Sequence, residues 1–249
     1  MMTRLFRALI SLAMLSGAMW AAPAAAQTDG TCIPVSQREG RAFGCFITAR
    51  QELGALPGSP DLYWHVDSFP TVESARGAAS PRSTVVESLG RIWLFTIAEK
   101  AWTAPDGAHV ATIGPLPLFP ANAYAATYME GVFQPGMASV VHRHPGAEAW
   151  YTLEGSMCLE TPDGRLDQRA GDPGVFVAGG KPMVLTGTGS GPRKSIVLIL
   201  QDATLPRSTP AHDWTPSGMC RTPEPARPPN APPRSPSLPA STQGSPSRP

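Results

Sequence analysis

Apolar residues in the second half of the chain occur in short runs separated by turn residues. These runs are rich in β-branched and aromatic side chains, which favour strands, and turn pairs such as Asp106-Gly107 lie between them. We predict strands at residues 85–86, 92–97, 110–113, 124–133, 148–153, 156–160, 171–177, 183–186 and 195–200, with a further strand through His142. Short strands with Gly and Pro turns and hardly any helix indicate an all-β sandwich or barrel.

The part of the chain before residue 84 has more helical patterns. Ser36 and Glu39 have the spacing of a capping box. We predict short helices after Ser36, over residues 47–53 and over residues 70–79, the last capped by Ser68 or Thr71. Residues 63–67 combine aromatic and polar side chains, and we expect a half-buried edge segment there rather than part of a site.

The two ends of the chain differ from its middle. Arg4 and Arg7 precede an apolar run over residues 8–20, and small residues precede Gln27, an order typical of a cleaved secretory signal. That run is shorter than the roughly 20 apolar residues of a spanning helix, so we expect no membrane anchor after cleavage. Ten of the 29 residues in 221–249 are proline, and we predict a disordered tail there.

The charge of the chain narrows the classes of partner that it could bind. Loss of residues 1–26 removes two arginines and no acid, leaving 18 basic against 19 acidic residues. Such a balance argues against nucleic acid as a partner.

An even number of cysteines in an exported chain indicates disulfides, and four cysteines allow three connectivities. We favour Cys32–Cys45, which are close in sequence, and Cys158–Cys220, which would tie the end of the folded region to a strand.

Candidate chemistry is concentrated between Gly136 and Gly155. His142 and His144 are two residues apart, so on a strand their side chains point to the same face. Pro145-Gly146 is a turn pair, and a hairpin there would bring Glu148 back beside the imidazoles. Two neutral histidines and one carboxylate are a ligand set suited to a divalent transition metal.

The spacing of these residues resembles the first signature of the cupin superfamily. Glycine, five residues, His-x-His, three residues, Glu, six residues and glycine are all present. The second signature is degenerate: Gly171 and Gly179 fit, but Val177 stands for a proline, Pro182 for the fourth histidine ligand and Thr186 for an asparagine. The resemblance, to a type-2-like single cupin domain, covers residues 124–200.

The resemblance implies an antiparallel jelly-roll β-barrel with short N-terminal helices and a disordered C-terminal tail. We divide the chain into a signal peptide (1–26), an N-terminal extension (27–83), a cupin barrel (84–220) and the Pro-rich tail (221–249). A degenerate second cupin within residues 84–120 stays open.

A periplasmic or secreted protein is expected, with a metal site at His142, His144 and Glu148 that holds Mn, Fe, Zn, Ni or Cu. Three functions stay open: a metal-dependent oxygenase, isomerase or lyase on a small organic molecule, a non-catalytic small-molecule-binding module, and a structural cupin. A homodimer is compatible with each. Trp150 and Thr152 are predicted to lie on the same face of their strand as Glu148. Two alternatives stay open for them: they line the cavity, or they pack in the core. His65, His109, His212 and Met183 are the remaining candidates for a fourth ligand.

Overall fold

Residues 32–220 are described by the structure, which is a computed structural model. The predicted signal peptide and Pro-rich tail lie outside this part. The described chain is mostly β, as predicted, with one α-helix of six residues. That part contains no helix with the length and apolar character of a membrane span.

The strands form three main sheets and one strand pair. The six-stranded sheet has the order β1 (Ile33–Pro34), β2 (Gly44–Gly54), β7 (Tyr124–Phe133), β14 (Arg193–Asp202), β9 (Ala147–Glu154), β12 (Val175–Val177). The four-stranded sheet has the order β4 (Ser83–Ser88), β5 (Arg91–Glu99), β3 (Leu62–Phe69), β6 (Ala108–Ile113). The three-stranded sheet has the order β11 (Gly164–Arg169), β10 (Ser156–Thr161), β13 (Val184–Thr188), and β15 (Thr209–Pro210) pairs with β8 (His142–Arg143).

The six-stranded sheet is the central layer. On one face Tyr128 and Leu198 pack in a core with Trp64 and Phe95 of the four-stranded sheet. On the other face Met129, Trp150 and Val197 pack with residues of the three-stranded sheet. All ten residues of β7 are buried, as expected for a strand that is covered on both sides.

The sheets do not close into the predicted barrel. A barrel needs hydrogen bonding to continue from the last strand back to the first. In residues 32–220 the sheets instead keep their edges, such as β1 and β12 of the central sheet. Residues 84–120 contribute three strands to one sheet, which is less than a second jelly roll would require.

Two of the predicted N-terminal helices are wrong. Residues 47–53 belong to β2, which pairs with β7 from Gly44 to Gly54. Helix propensity is a weak preference, and pairing with the buried strand β7 overrides it here. Where a helix was predicted after Ser36, Ser36 itself lies within a three-residue 3-10 turn, Val35–Gln37, which has no side-chain cap.

The third helix is confirmed. α1 (Val72–Gly77) begins after Thr71, whose hydroxyl accepts from the Ser74 backbone amide, and the Ser74 hydroxyl accepts from the Thr71 backbone amide.

Residues 63–67, predicted as an edge segment, lie in β3, which is an inner strand between β5 and β6. The division at residue 83 stays a prediction, although β2 and β3 share hydrogen-bonded sheets with strands that follow it.

Both favoured disulfides are confirmed. Cys32 is bonded to Cys45, and Cys158 is bonded to Cys220. The first joins β2 to the residue before β1, and the second ties β10 to the last described residue. No cysteine of residues 32–220 is free.

Candidate metal centre

The predicted site residues come together between two sheets. The ligand atoms of His142, His144 and Glu148 all lie within 4.8 Å of one another. Among residues 32–220 this is the one group of His, Cys, Asp and Glu side chains spaced to hold a metal ion. The predicted geometry of a single hairpin is wrong, however, because β8 and β9 are not paired with each other.

Instead, the chain crosses from one sheet to the other at Pro145-Gly146. His142 forms two backbone hydrogen bonds with Met183, which extends the three-stranded sheet at β13. Glu148 lies in the central sheet, opposite Ile199 of β14 and Val177 of β12. The crossing is tight, since a Cβ atom at Gly146 would lie 2.0 Å from the Leu200 carbonyl oxygen. The imidazoles and the carboxylate are therefore held by opposite walls.

Hydrogen bonds fix the orientation of both imidazole rings. His142 Nδ1 donates to the Val140 carbonyl oxygen at 2.8 Å, and His144 Nδ1 donates to the Arg207 carbonyl oxygen at 2.7 Å. A carbonyl can only accept, so the proton of each neutral ring is on Nδ1 and its Nε2 carries a lone pair. The two Nε2 atoms lie 3.1 Å apart, and His144 Nε2 is 3.5 Å from Glu148 Oε2.

Burial keeps both histidines neutral. It lowers the pKa of His142, which is lowered further because protonation of both neighbouring rings would be repulsive, and it lowers the pKa of His144 to about 4. Burial also raises the pKa of Glu148, against the opposing effects of His142 and Arg193. Two lone pairs and a carboxylate thus face one another in a poorly hydrated place, which is an arrangement that a cation stabilises.

A small cavity adjoins the three side chains. Its volume is about 60 Å³, and its lining includes the Cys32–Cys45 disulfide, Met129, Leu185, Val197, Arg193 and Arg207. Sequence reasoning missed both arginines, because nothing in the sequence distinguishes a buried arginine from the many exposed ones.

The other predicted candidates lie away from the centre. Trp150 packs in the core, and Thr152 donates to Gln168, so core packing is correct for both. His65 lies in the four-stranded sheet within reach of the Glu99 carbonyl, and His109 pairs with Asp67. Neither joins the cluster, nor does His212, which is exposed.

The structure places Met183, and not Pro182, opposite His142. Neither Pro182 nor Met183 lines the cavity. Met183 is the residue paired with His142, and directly paired residues of neighbouring strands point to the same face. Met183 is buried in the core beside the site, and its thioether is a poor ligand for a hard or borderline ion.

Comparisons with known proteins give similarity to parts of solved structures only. No protein-family model matches the sequence, and no curated protein matches it either. Cupin structures are among those that this chain resembles. A cupin superfamily protein from Desulfitobacterium hafniense is 19% identical, with 31% of this chain and 68% of that chain covered and a TM-score of 0.29.

Two further solved structures resemble this chain at a similar level. A Klebsiella pneumoniae protein with a double-stranded β-helix domain is 18% identical, with 34% of this chain and 70% of that chain covered and a TM-score of 0.31. Oxalate decarboxylase from Bacillus subtilis, described with Mn(II) centres, is 18% identical over 35% of this chain and 23% of that chain, with a TM-score of 0.29. Similarity this low does not bear on function, which we take from the site itself.

Proposed function

We propose that His142, His144 and Glu148 bind one divalent first-row transition metal ion, and that the protein acts on a small organic molecule as an oxygenase, isomerase or lyase. The observation that carries this proposal is the pair of imidazole Nε2 lone pairs 3.1 Å apart beside a buried carboxylate. Nitrogen and carboxylate ligands suit Mn, Fe, Zn, Ni or Cu. A bound ion of this kind acts as a Lewis acid or activates bound water or dioxygen.

The chain's own residues have two roles at this centre. The Val140 and Arg207 carbonyls hold both rings by Nδ1, so that each Nε2 is aimed inward. The apolar lining, including the Cys32–Cys45 disulfide, excludes bulk water and strengthens electrostatic interactions inside. With three protein ligands, coordination positions are left for a substrate.

Two alternative functions use the same site differently. A non-catalytic module would bind a small ligand without turnover, and a structural protein would keep the cluster for internal hydrogen bonds alone. The facing lone pairs argue against the structural alternative, because an internal network would place a donor between them. Turnover assays with the metal retained separate an enzyme from a binding module.

We also propose export to the periplasm or the cell exterior. Two disulfides within residues 32–220 support an oxidising compartment. A small molecule is the proposed partner, and a homodimer stays an expectation.

Metal titration by calorimetry tests the proposal. Native protein should bind about one Mn(II), Fe(II) or Zn(II) per chain, whereas His142→Ala and Glu148→Gln should each weaken binding at least about 100-fold, since each removes one of three ligands. His212→Ala, which removes an exposed histidine outside the cluster, is the matched control. Equal metal affinity for the native protein and for the double variant His142→Ala with His144→Ala would refute the metal site.

A second pair of variants tests the fourth position. Met183→His puts an imidazole on the face that His142 occupies, and we expect metal affinity to rise about tenfold or more. Pro182→His serves as its control and should leave metal affinity unchanged, because successive residues of an extended segment point to opposite faces, so residue 182 points away from the face that His142 and Met183 share. If Pro182→His raised metal affinity and Met183→His did not, residue 182 rather than residue 183 would share a face with His142.

A further inference from the structure

A fully enclosed arginine lies in the cavity wall next to the candidate metal centre. Arg193 is the first residue of β14 and is only 2% exposed. Its Nε and Nη2 atoms are buried and have no hydrogen-bond partner within residues 32–220. The guanidinium lies 5.6 Å from the Phe133 ring centroid, a contact that stabilises the charge but uses none of its hydrogen-bond donors.

The wall around Arg193 is shaped to leave this group accessible from the cavity. Gly131, which also lines the cavity, lies beside it on β7, and a Cβ atom there would lie 3.4 Å from Arg193 Nη1. The same Cβ would lie 3.2 Å from Ser195 Oγ, another buried atom without a partner in the described chain. Buried donors of this kind are rarely left unpaired in folded proteins. Arg193 lines the cavity, so a ligand bound there is in a position to supply the missing acceptor.

The charge of the cavity favours an anion. Its ionisable lining groups are Arg193, Arg207 and Glu148, besides the two neutral histidines, which gives a net charge of +1. Burial lowers the pKa of Arg193 only to about 10, so the guanidinium stays charged at neutral pH. A divalent metal would add two more positive charges. An unpaired charge in such a place is strongly disfavoured unless a counter-charge accompanies it.

The size of the cavity limits the anion. A volume of about 60 Å³ corresponds to about four to six water-sized groups, at about 10–15 Å³ for each. Apart from the charged groups, the lining is mainly apolar, as in Met129, Leu185 and Val197. A planar group with two acceptor oxygens matches the fork of donors on a guanidinium.

We propose that the cavity binds a small organic acid of about four to six non-hydrogen atoms, whose carboxylate is held by Arg193 while the rest of the molecule lies toward His142, His144 and Glu148. This identifies the substrate class of the proposed function and rests on it for the metal. The contact between Arg193 and the carboxylate does not itself require a metal.

Ligand-observed NMR on the full chain tests this proposal with acetate and propionate as probes and acetamide as the neutral isostere of acetate. Metal-free protein and protein with added Mn(II) are both titrated. We expect acetate to bind at least about tenfold more tightly than acetamide, because a charged acceptor makes the stronger hydrogen bonds to a guanidinium. Arg193→Met should abolish that preference, and Arg193→Lys should retain part of it.

Arg169→Met is the matched control, since it removes one positive charge from a side chain that is 78% exposed. Equal binding of acetate and acetamide to the native protein would overturn the proposal, as would an unchanged acetate preference in Arg193→Met. If Arg193→Met does not fold, the acetate–acetamide ratio of the native protein and of Arg193→Lys decides. Acetate binding that depends on Arg193 in a protein that binds no metal would refute the metal site alone, whereas metal binding without an acetate preference would refute this inference alone.

Discussion

The two disulfides should contribute unequally to stability, and removing each in turn measures the difference. A disulfide stabilises mainly by restricting the unfolded chain, and its effect grows with the length of the closed loop. The loops span 13 residues for Cys32–Cys45 and 62 residues for Cys158–Cys220. The chain-entropy relation then gives losses in the free energy of unfolding of roughly 2.9 and roughly 4.3 kcal/mol for the two double Ala variants.

Packing should widen this gap. Cys158 is completely buried and Cys220 is 3% exposed, so replacing them removes buried sulfur atoms and leaves a void. Cys32 and Cys45 are only partly buried and line the cavity, where truncation enlarges a space that already exists. The difference between the two variants should therefore be at least about 1.4 kcal/mol, the entropic part alone.

Equilibrium unfolding in guanidinium chloride at pH 7 is the assay, with the free energy extrapolated to water. Each double variant should also show a larger m-value than the native protein, because its unfolded chain exposes more surface. Native protein with both disulfides reduced is the control and should be less stable than either variant. Equal losses, or a larger loss for Cys32→Ala with Cys45→Ala, would refute the reasoning and show that strain or residual structure outweighs loop length.

Two further predictions concern the crossing between the sheets and its histidine. His144 titrates at about 4 in the folded protein and near 6.5 in the unfolded chain, so stability that is present above pH 6.5 is lost as the pH falls toward 4. The loss in metal-free protein should reach about 3 kcal/mol, partly offset by the raised pKa of Glu148, and a flat free energy of unfolding between pH 7 and 4.5 would contradict it. Gly146→Ala should destabilise by about 1–3 kcal/mol or more, because its Cβ would clash with the Leu200 carbonyl, whereas Gly191→Ala, which meets open space, should change the melting temperature little.

Several features of this protein follow from local sequence. The strand runs, the helix capped by Thr71 and the shared face of His142 and His144 could be predicted because alternation and capping act over a few residues. The disulfide pairing was also predicted correctly, although four cysteines alone leave it open.

Other features were decided by tertiary structure. Residues 47–53 form a strand because β7 supplies a partner about 80 residues away, and no local pattern encodes that pairing. His142 and Glu148 meet from separate sheets, and Met183 rather than Pro182 pairs with His142, because inter-strand register sets which side chains share a face. Arg193 lines the cavity because β14 lies between β7 and β9. Periodicity in a sequence predicts which residues of one strand are buried on the same face. Only the packing of one sheet against another determines which residues of the opposite sheet they contact.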